Sequence, residues 1–194
     1  MTDFVLSSGS YIRPFKARPG GNFPIRQMAL STGISSQVIR VGNVVGLDVN
    51  TTNGNSLLTL SSVSSGTCVS TAVVGIAAEG PGAAAGGPSS TNTSGTLIPV
   101  WEADPQVEFR AHTIGGLLNS TLIGQVKDIN RDTTLNIDLI QLGASRLTAP
   151  MNSVLITGLI DNAGDSGGAV SFKFLPNDPT NSTLSSGRRL AFFV

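Results

Sequence analysis

The sequence predicts an all-β protein: an antiparallel β-sandwich or barrel-like domain with an extended N-terminal arm and little helix. From Gln37 onward the apolar residues come in short runs bounded by Gly, Pro, Asn and Ser, the rhythm of strands joined by turns. No stretch holds apolar residues at helical spacing over three turns, although Gly116–Leu122 has room for one short helix. The chain is 40% hydrophobic and carries no net charge, a balance that favours folding over disorder. At 194 residues it can bury roughly 70% of the surface its unfolded form exposes. Cys68 is the only cysteine, so no internal disulfide forms and packing must hold the fold.

Residues 1–34 read as the arm. Pro14, Pro19, Pro24 and the Gly20-Gly21 pair interrupt any periodic pattern, and extended backbone is what such a segment adopts. Between Phe4 and Leu47 stand Arg13, Lys16, Arg18, Arg26 and Arg40 with no carboxylate, so the arm is a cationic stretch on a neutral protein. A Pro/Gly-rich cationic segment of this kind is expected to anchor on a neighbouring chain.

Residues 35–194 read as one antiparallel β domain. Its expected strands are Gln37–Val49, Leu57–Leu60, Val73–Glu79, Leu97–Glu102, Val107–Thr113, Leu122–Ile129, Leu135–Leu139, Val154–Ile160, Ala169–Phe174 and Arg189–Val194. In Val107–His112 the alternation is strict, which puts Val107, Phe109 and Ala111 on one face and their polar neighbours on the other. Two low-complexity segments, Gly80–Gly95 and Pro176–Gly187, have no large side chain to bury and read as loops. The last run, Arg188–Val194 (RRLAFFV), is an apolar strand that belongs either to the core or to a subunit contact.

Gly164–Gly168 reads GDSGG and resembles the segment around the nucleophilic serine of trypsin-like proteases. The resemblance implies Ser166 as nucleophile, the backbone N–H groups of Gly164 and Ser166 as an oxyanion hole, and His112, the single histidine, as base. Too few residues separate His112 from Ser166 to hold the barrel that lies between these positions in that family. None of Asp128, Asp132 and Asp138 stands in the local context of an orienting acid. Asn162–Gly168 also lies between two apolar strand-like runs, where a turn selects Asn, Gly, Asp and Ser for their backbone tolerance alone. The expectation is therefore a hairpin turn and no catalytic residue, with a GDSGG hydrolase as an alternative.

Other chemistry is thinly represented. His112 alone reads as a core or rim histidine, and Trp101, despite Glu102 and Asp104 nearby, as a packed strand aromatic. Asp161 and Asp165 share one short turn with no matching acidic loop, so neither a calcium site nor a glycosidase pair is expected. Gly80–Gly87 lacks the Lys-Ser/Thr ending of a phosphate loop. No metal and no cofactor is expected.

Charge and hydropathy bound the partners. Charged residues make up 12% of the chain, against roughly 25% in ordinary domains, and zero net charge removes the bulk attraction to phosphate that non-specific nucleic-acid binding needs. Asp3 stands where a secretory signal would carry basic residues, and no run of 18 apolar residues is present, so neither secretion nor a membrane span is expected. A weakly charged, neutral surface suits a protein that lives in an assembly.

The order of the segments Gly42–Asp48 (GNVVGLD), Val73–Ala77 (VVGIA), Ile98–Ala111 (IPVWEADPQVEFRA) and Leu122–Asp138, with its IGQVKDIN and LNID, resembles the decoration, or cement, proteins of tailed-bacteriophage capsids. The resemblance covers the middle half of the chain; neither the arm nor Gly164–Gly168 belongs to it. It implies a non-catalytic virion protein, made in the host cytoplasm. Such a protein self-associates, most often as a homotrimer, on the capsid exterior and reinforces contacts between major capsid proteins. A tail, fibre or vertex component is the alternative within structural proteins. The residues expected to contact capsid or subunit are Arg13, Phe15, Lys16, Arg18, Phe23, Arg26, Arg188, Arg189, Phe192 and Phe193.

Overall fold

Short alternating runs between turn residues do become strands. The computed structural model describes residues 11–17, 21–29, 39–48, 57–60, 73–78, 97–132, 135, 137–143 and 153–175. The strands are β1 (Arg13–Lys16), β2 (Ile25–Ala29), β3 (Val44–Asp48), β4 (Leu57–Leu60), β5 (Val73–Ala77) and β6 (Leu97–Glu102). They continue with β7 (Glu108–Ile114), β8 (Val126–Asp132), β9 (Ile137–Gln141), β10 (Ser153–Leu159) and β11 (Ala169–Phe174). Helix is confined, among the described residues, to a single 3-10 turn over Ser120–Leu122, whose N-cap Asn119 accepts a hydrogen bond from the Thr121 backbone. That turn lies inside the segment in which the sequence allowed a short helix.

Two sheets form. One runs β1-β7-β11-β10-β8-β9, and the other β2-β6-β5-β3-β4. In the first, β11 occupies one edge of β7, while the opposite edge is shared. The first half of β7 pairs with β1 through Arg13↔Arg110 and Lys16↔Glu108. Its end pairs in parallel with β9 through Thr113↔Ile140. The β7–β9 pairing closes β7, β11, β10, β8 and β9 into a barrel, which removes the free edges of those strands.

The barrel is filled from both sheets. Phe109, Phe172 and Phe174 meet with ring centroids 5.4–5.9 Å apart, two of the three contacts being edge-to-face. Val44, Val73 and Ile76 of the second sheet join the same cluster. The other face of that second sheet has its own cluster of Met28, Ile39, Val45, Val74, Ala77, Ile98 and Val100. Trp101 is half-buried and packs against the main core, as expected for a strand aromatic. In β7 and the residue before it the alternation holds for Val107, Phe109 and Ala111, all buried, yet His112 on the polar side is buried too.

A polar tie also joins the sheets. Asp138 on β9 is wholly buried and accepts the Val44 backbone N–H of β3 at 2.6 Å. Its carboxylate is held by Arg131 on β8 in a two-pronged contact of 2.7 and 2.8 Å.

One expectation about the chain's organisation needs correction. Residues 1–34 were expected to lie off the β domain as an arm. Where described, the segment is extended, but β1 and β2 are members of the two sheets, and Ile12 and Met28 are core residues. The sequence hides this because two strands of four and five residues, one of them containing proline, carry too few apolar positions to alternate. The expected strand Arg189–Val194 and the loops at 80–95 and 176–187 lie outside the described residues.

Candidate functional site

Two places on the molecule gather chemistry: the Gly164–Gly168 turn and the outer face of β1 and β7. The turn connects β10 to β11, and its neighbours are fixed by backbone bonds. Gly164 N–H donates to the Leu118 carbonyl at 2.7 Å, and Leu118 N–H donates to the Asp165 carbonyl at 3.0 Å. The Thr113 N–H and hydroxyl both donate to the Gly168 carbonyl, at 3.1 and 2.9 Å. Asp165 and Asp161 cap the loop by accepting the backbone N–H groups of Asn162 and Ala169. Gly167 has φ of 70°, which favours glycine, and a Cβ on Gly168 would stand 2.6 Å from Leu118 Cδ1. Each glycine of the final pair thus has a local steric reason.

His112 does lie against this turn. Its Nδ1 is 3.0 Å from the Gly167 carbonyl oxygen, and since a carbonyl only accepts, Nδ1 carries the proton in the neutral ring. Ser166 forms a backbone bridge with Leu117. Burial lowers the imidazole pKa below its ordinary value; Arg110 and Arg13 push the same way, against the Gly167 bond and Asp161. Because the folded pKa lies below the unfolded value of 6.5, the two states are equally protonated well above 6.5 and again well below the folded pKa. As pH falls through 6.5 the unfolded chain takes up the proton first, and stability declines until the folded pKa is reached. Urea midpoints measured from pH 8 to pH 5 should therefore fall with acidity. His112→Asn, which keeps a donor for Gly167, should reduce that slope.

The second place is built by β1. Arg13 stands directly opposite Arg110, Pro14 opposite Phe109 and Lys16 opposite Glu108, with a register shift between Pro14 and Lys16. At that shift Phe15 is 39% exposed, and Lys16 Nζ lies over its ring, 5.1 Å from the centroid. On the next strand Lys173 is 3.9 Å from Glu108. The outer surface of β1, β7 and β11 therefore carries Arg13, Lys16, Arg110 and Lys173 against the single carboxylate Glu108. A like-charged pair directly across two strands is destabilising unless an anion meets it.

The chain matches no family model, no curated protein and no solved structure.

The other expected contact residues divide between places. Arg13, Phe15 and Lys16 come together on β1. Arg26 sits on β2 in the second sheet and pairs with Glu102 at 2.7 Å, and Phe23 is half-buried against the core. Arg18, Arg188, Arg189, Phe192 and Phe193 lie outside the described residues. Arg110 was missed as a site residue: alternation places it on the outer face of its strand, but only the β1–β7 register brings Arg13 across from it. Among the described residues no group of three or more His, Cys, Asp and Glu side chains is arranged to hold a metal ion, and no helix is long and apolar enough to cross a membrane.

Proposed function

We propose that this protein is a non-catalytic structural component of a virion, a decoration protein that binds the outside of a tailed-phage capsid and strengthens contacts between major capsid proteins. The observation that carries the reading is the gathering of cations around exposed Phe15 on the outer face of β1, in a chain whose net charge is zero. Such a face meets an acidic protein surface through charge complementarity with an apolar anchor, and it offers little to a long polyanion. The interlocked strand framework supports the same reading, because a reinforcing element has to resist deformation. The resemblance of Gly42–Asp48, Val73–Ala77, Ile98–Ala111 and Leu122–Asp138 to the cement proteins adds the capsid as the partner and a homotrimer as the expected form.

A second reading, a GDSGG hydrolase, is favoured by one observation: the fold brings His112 against the turn that holds Ser166. Against it, the Nδ1–H that an orienting carboxylate would take in a triad is given to the Gly167 carbonyl. Two assays separate the readings. Purified protein mixed with heads assembled without it should co-sediment to saturation at a fixed number of copies per head. A fluorophosphonate probe should leave Ser166 unlabelled. Absence of co-sedimentation together with stoichiometric labelling of Ser166 would replace the structural reading with the hydrolase.

A further inference from the structure

We infer that the outer face of β1 and β7 is a receptor for protein carboxylates, in which Arg13 and Arg110 clamp an acidic side chain of the partner while Phe15 packs beside it. Arg13 is exposed, Arg110 half-buried, and the two are cross-strand partners. Neither guanidinium takes part in an ion pair or hydrogen bond with any described residue. Of the other described cations, Arg26, Arg40, Arg131, Lys127 and Lys173 each have an intramolecular acceptor or carboxylate, and Lys16 lies over the Phe15 ring. On the far side of Arg110 the opposing residue is Ser171, which is buried and whose hydroxyl bonds that of Thr157 at 2.9 Å, so a neutral residue stands opposite Arg110 on that strand. Two described acids of this region are engaged elsewhere. Glu108 lies between Lys16 and Lys173, and Asp161 accepts the Ala169 N–H.

Two arginines directly across paired strands offer a carboxylate two guanidinium groups, each of which can engage it through paired N–H donors. The partner is a protein rather than a nucleic acid for three reasons on this surface. The patch spans little more than one edge strand of four residues, too short to track a phosphate backbone. Glu108 in its middle repels successive phosphates. The chain's zero net charge supplies no long-range attraction to a polyanion. Exposed Phe15 adds the apolar contact that distinguishes a protein interface from a counter-ion site. β1 also keeps other strands from joining its open edge: Pro14 lacks a donor, the register shift bends the strand, and cations flank it. Recognition here is by side chains and not by an added strand.

The inference deepens the capsid-binding reading and rests on it for the identity of the partner, so its test begins without capsids. The intact chain, labelled for NMR, is titrated with a hexaglutamate peptide at fixed ionic strength. A Gly-Ser peptide and a short DNA duplex serve as controls. Hexaglutamate should shift the signals of Arg13, Phe15 and Arg110. Arg110→Gln and Arg13→Gln should each weaken its binding at least tenfold, while Gln125→Ala, at an exposed neutral residue before β8, leaves it unchanged. Because the substitutions relieve like-charge repulsion, both variants should melt no lower than the parent, which separates lost binding from lost folding. Absence of hexaglutamate binding by the parent chain, or unaltered binding in Arg110→Gln, overturns the inference, and so does tighter binding of the duplex at the same residues. In a second arm, Arg110→Gln is mixed with heads. Undiminished binding there overturns the inference but leaves the capsid reading standing, whereas failure of the parent chain to bind heads counts against the capsid reading alone.

Discussion

Replacing Asp138 with alanine should destabilise the fold by about 3–5 kcal/mol, the range for breaking a buried, hydrogen-bonded ion pair from one side. The carboxylate has no exposed surface, and the Arg131 side chain that it holds is only 11% exposed. Removing the acid leaves that guanidinium without its carboxylate in a largely dry position. It also takes away the acceptor of the Val44 N–H, the point at which β9 of the barrel grips β3 of the second sheet. Two losses therefore add at one site, both of them desolvation costs that water cannot easily relieve. Asp138→Asn retains an acceptor for Val44 but no charge for Arg131, and its loss should fall between those of the parent and the alanine variant. Urea unfolding followed by circular dichroism gives both values. A midpoint for Asp138→Ala within experimental error of the parent would show that the tie is dispensable.

Phe172→Ala should cost a comparable amount, about 3–5 kcal/mol, for a different reason. Phe172 is fully buried on β11, its ring stacked at 5.9 Å on Phe109 across the β7 pairing and edge-on at 5.5 Å to Phe174. Truncation removes both ring contacts and leaves a cavity that barrel strands, pinned on both sides, cannot collapse to fill. Phe172→Leu keeps most of the volume and should lose less. A thermal melt in which alanine and leucine variants fall equally would argue that ring geometry and cavity size are not what hold this layer.

Much of the fold was legible because turn residues bracket its strands. Leu57–Leu60, Leu97–Glu102 and Ala169–Phe174 coincide residue for residue with the expected runs, and the Gly164–Gly168 segment does lie in the turn between β10 and β11. The failures share one physical origin, that a sequence window does not contain its partner strand. β1 and β2 are strands because β7 and β6 offer them hydrogen bonds, while RPFK and IRQMA by themselves show no alternation. Asp138 sits in a segment correctly read as a strand. Its burial depends on β3 and on Arg131, and an aspartate met in sequence is ordinarily expected outside. The site was legible by halves in the same way. Arg13, Phe15 and Lys16 stood out as cations and an aromatic in a stretch without acids, but Arg110, which completes the face, became visible only with the register.

If the chain reinforces a capsid lattice, as proposed, the heat resistance of the lattice reports it most directly. Heads assembled without the protein would be warmed with and without saturating amounts of it, and genome release followed by a DNA-binding dye. The account predicts that release shifts to higher temperature as the protein saturates the heads, with Arg110→Gln requiring more protein to reach the same shift. An unchanged release temperature at saturating protein would contradict it.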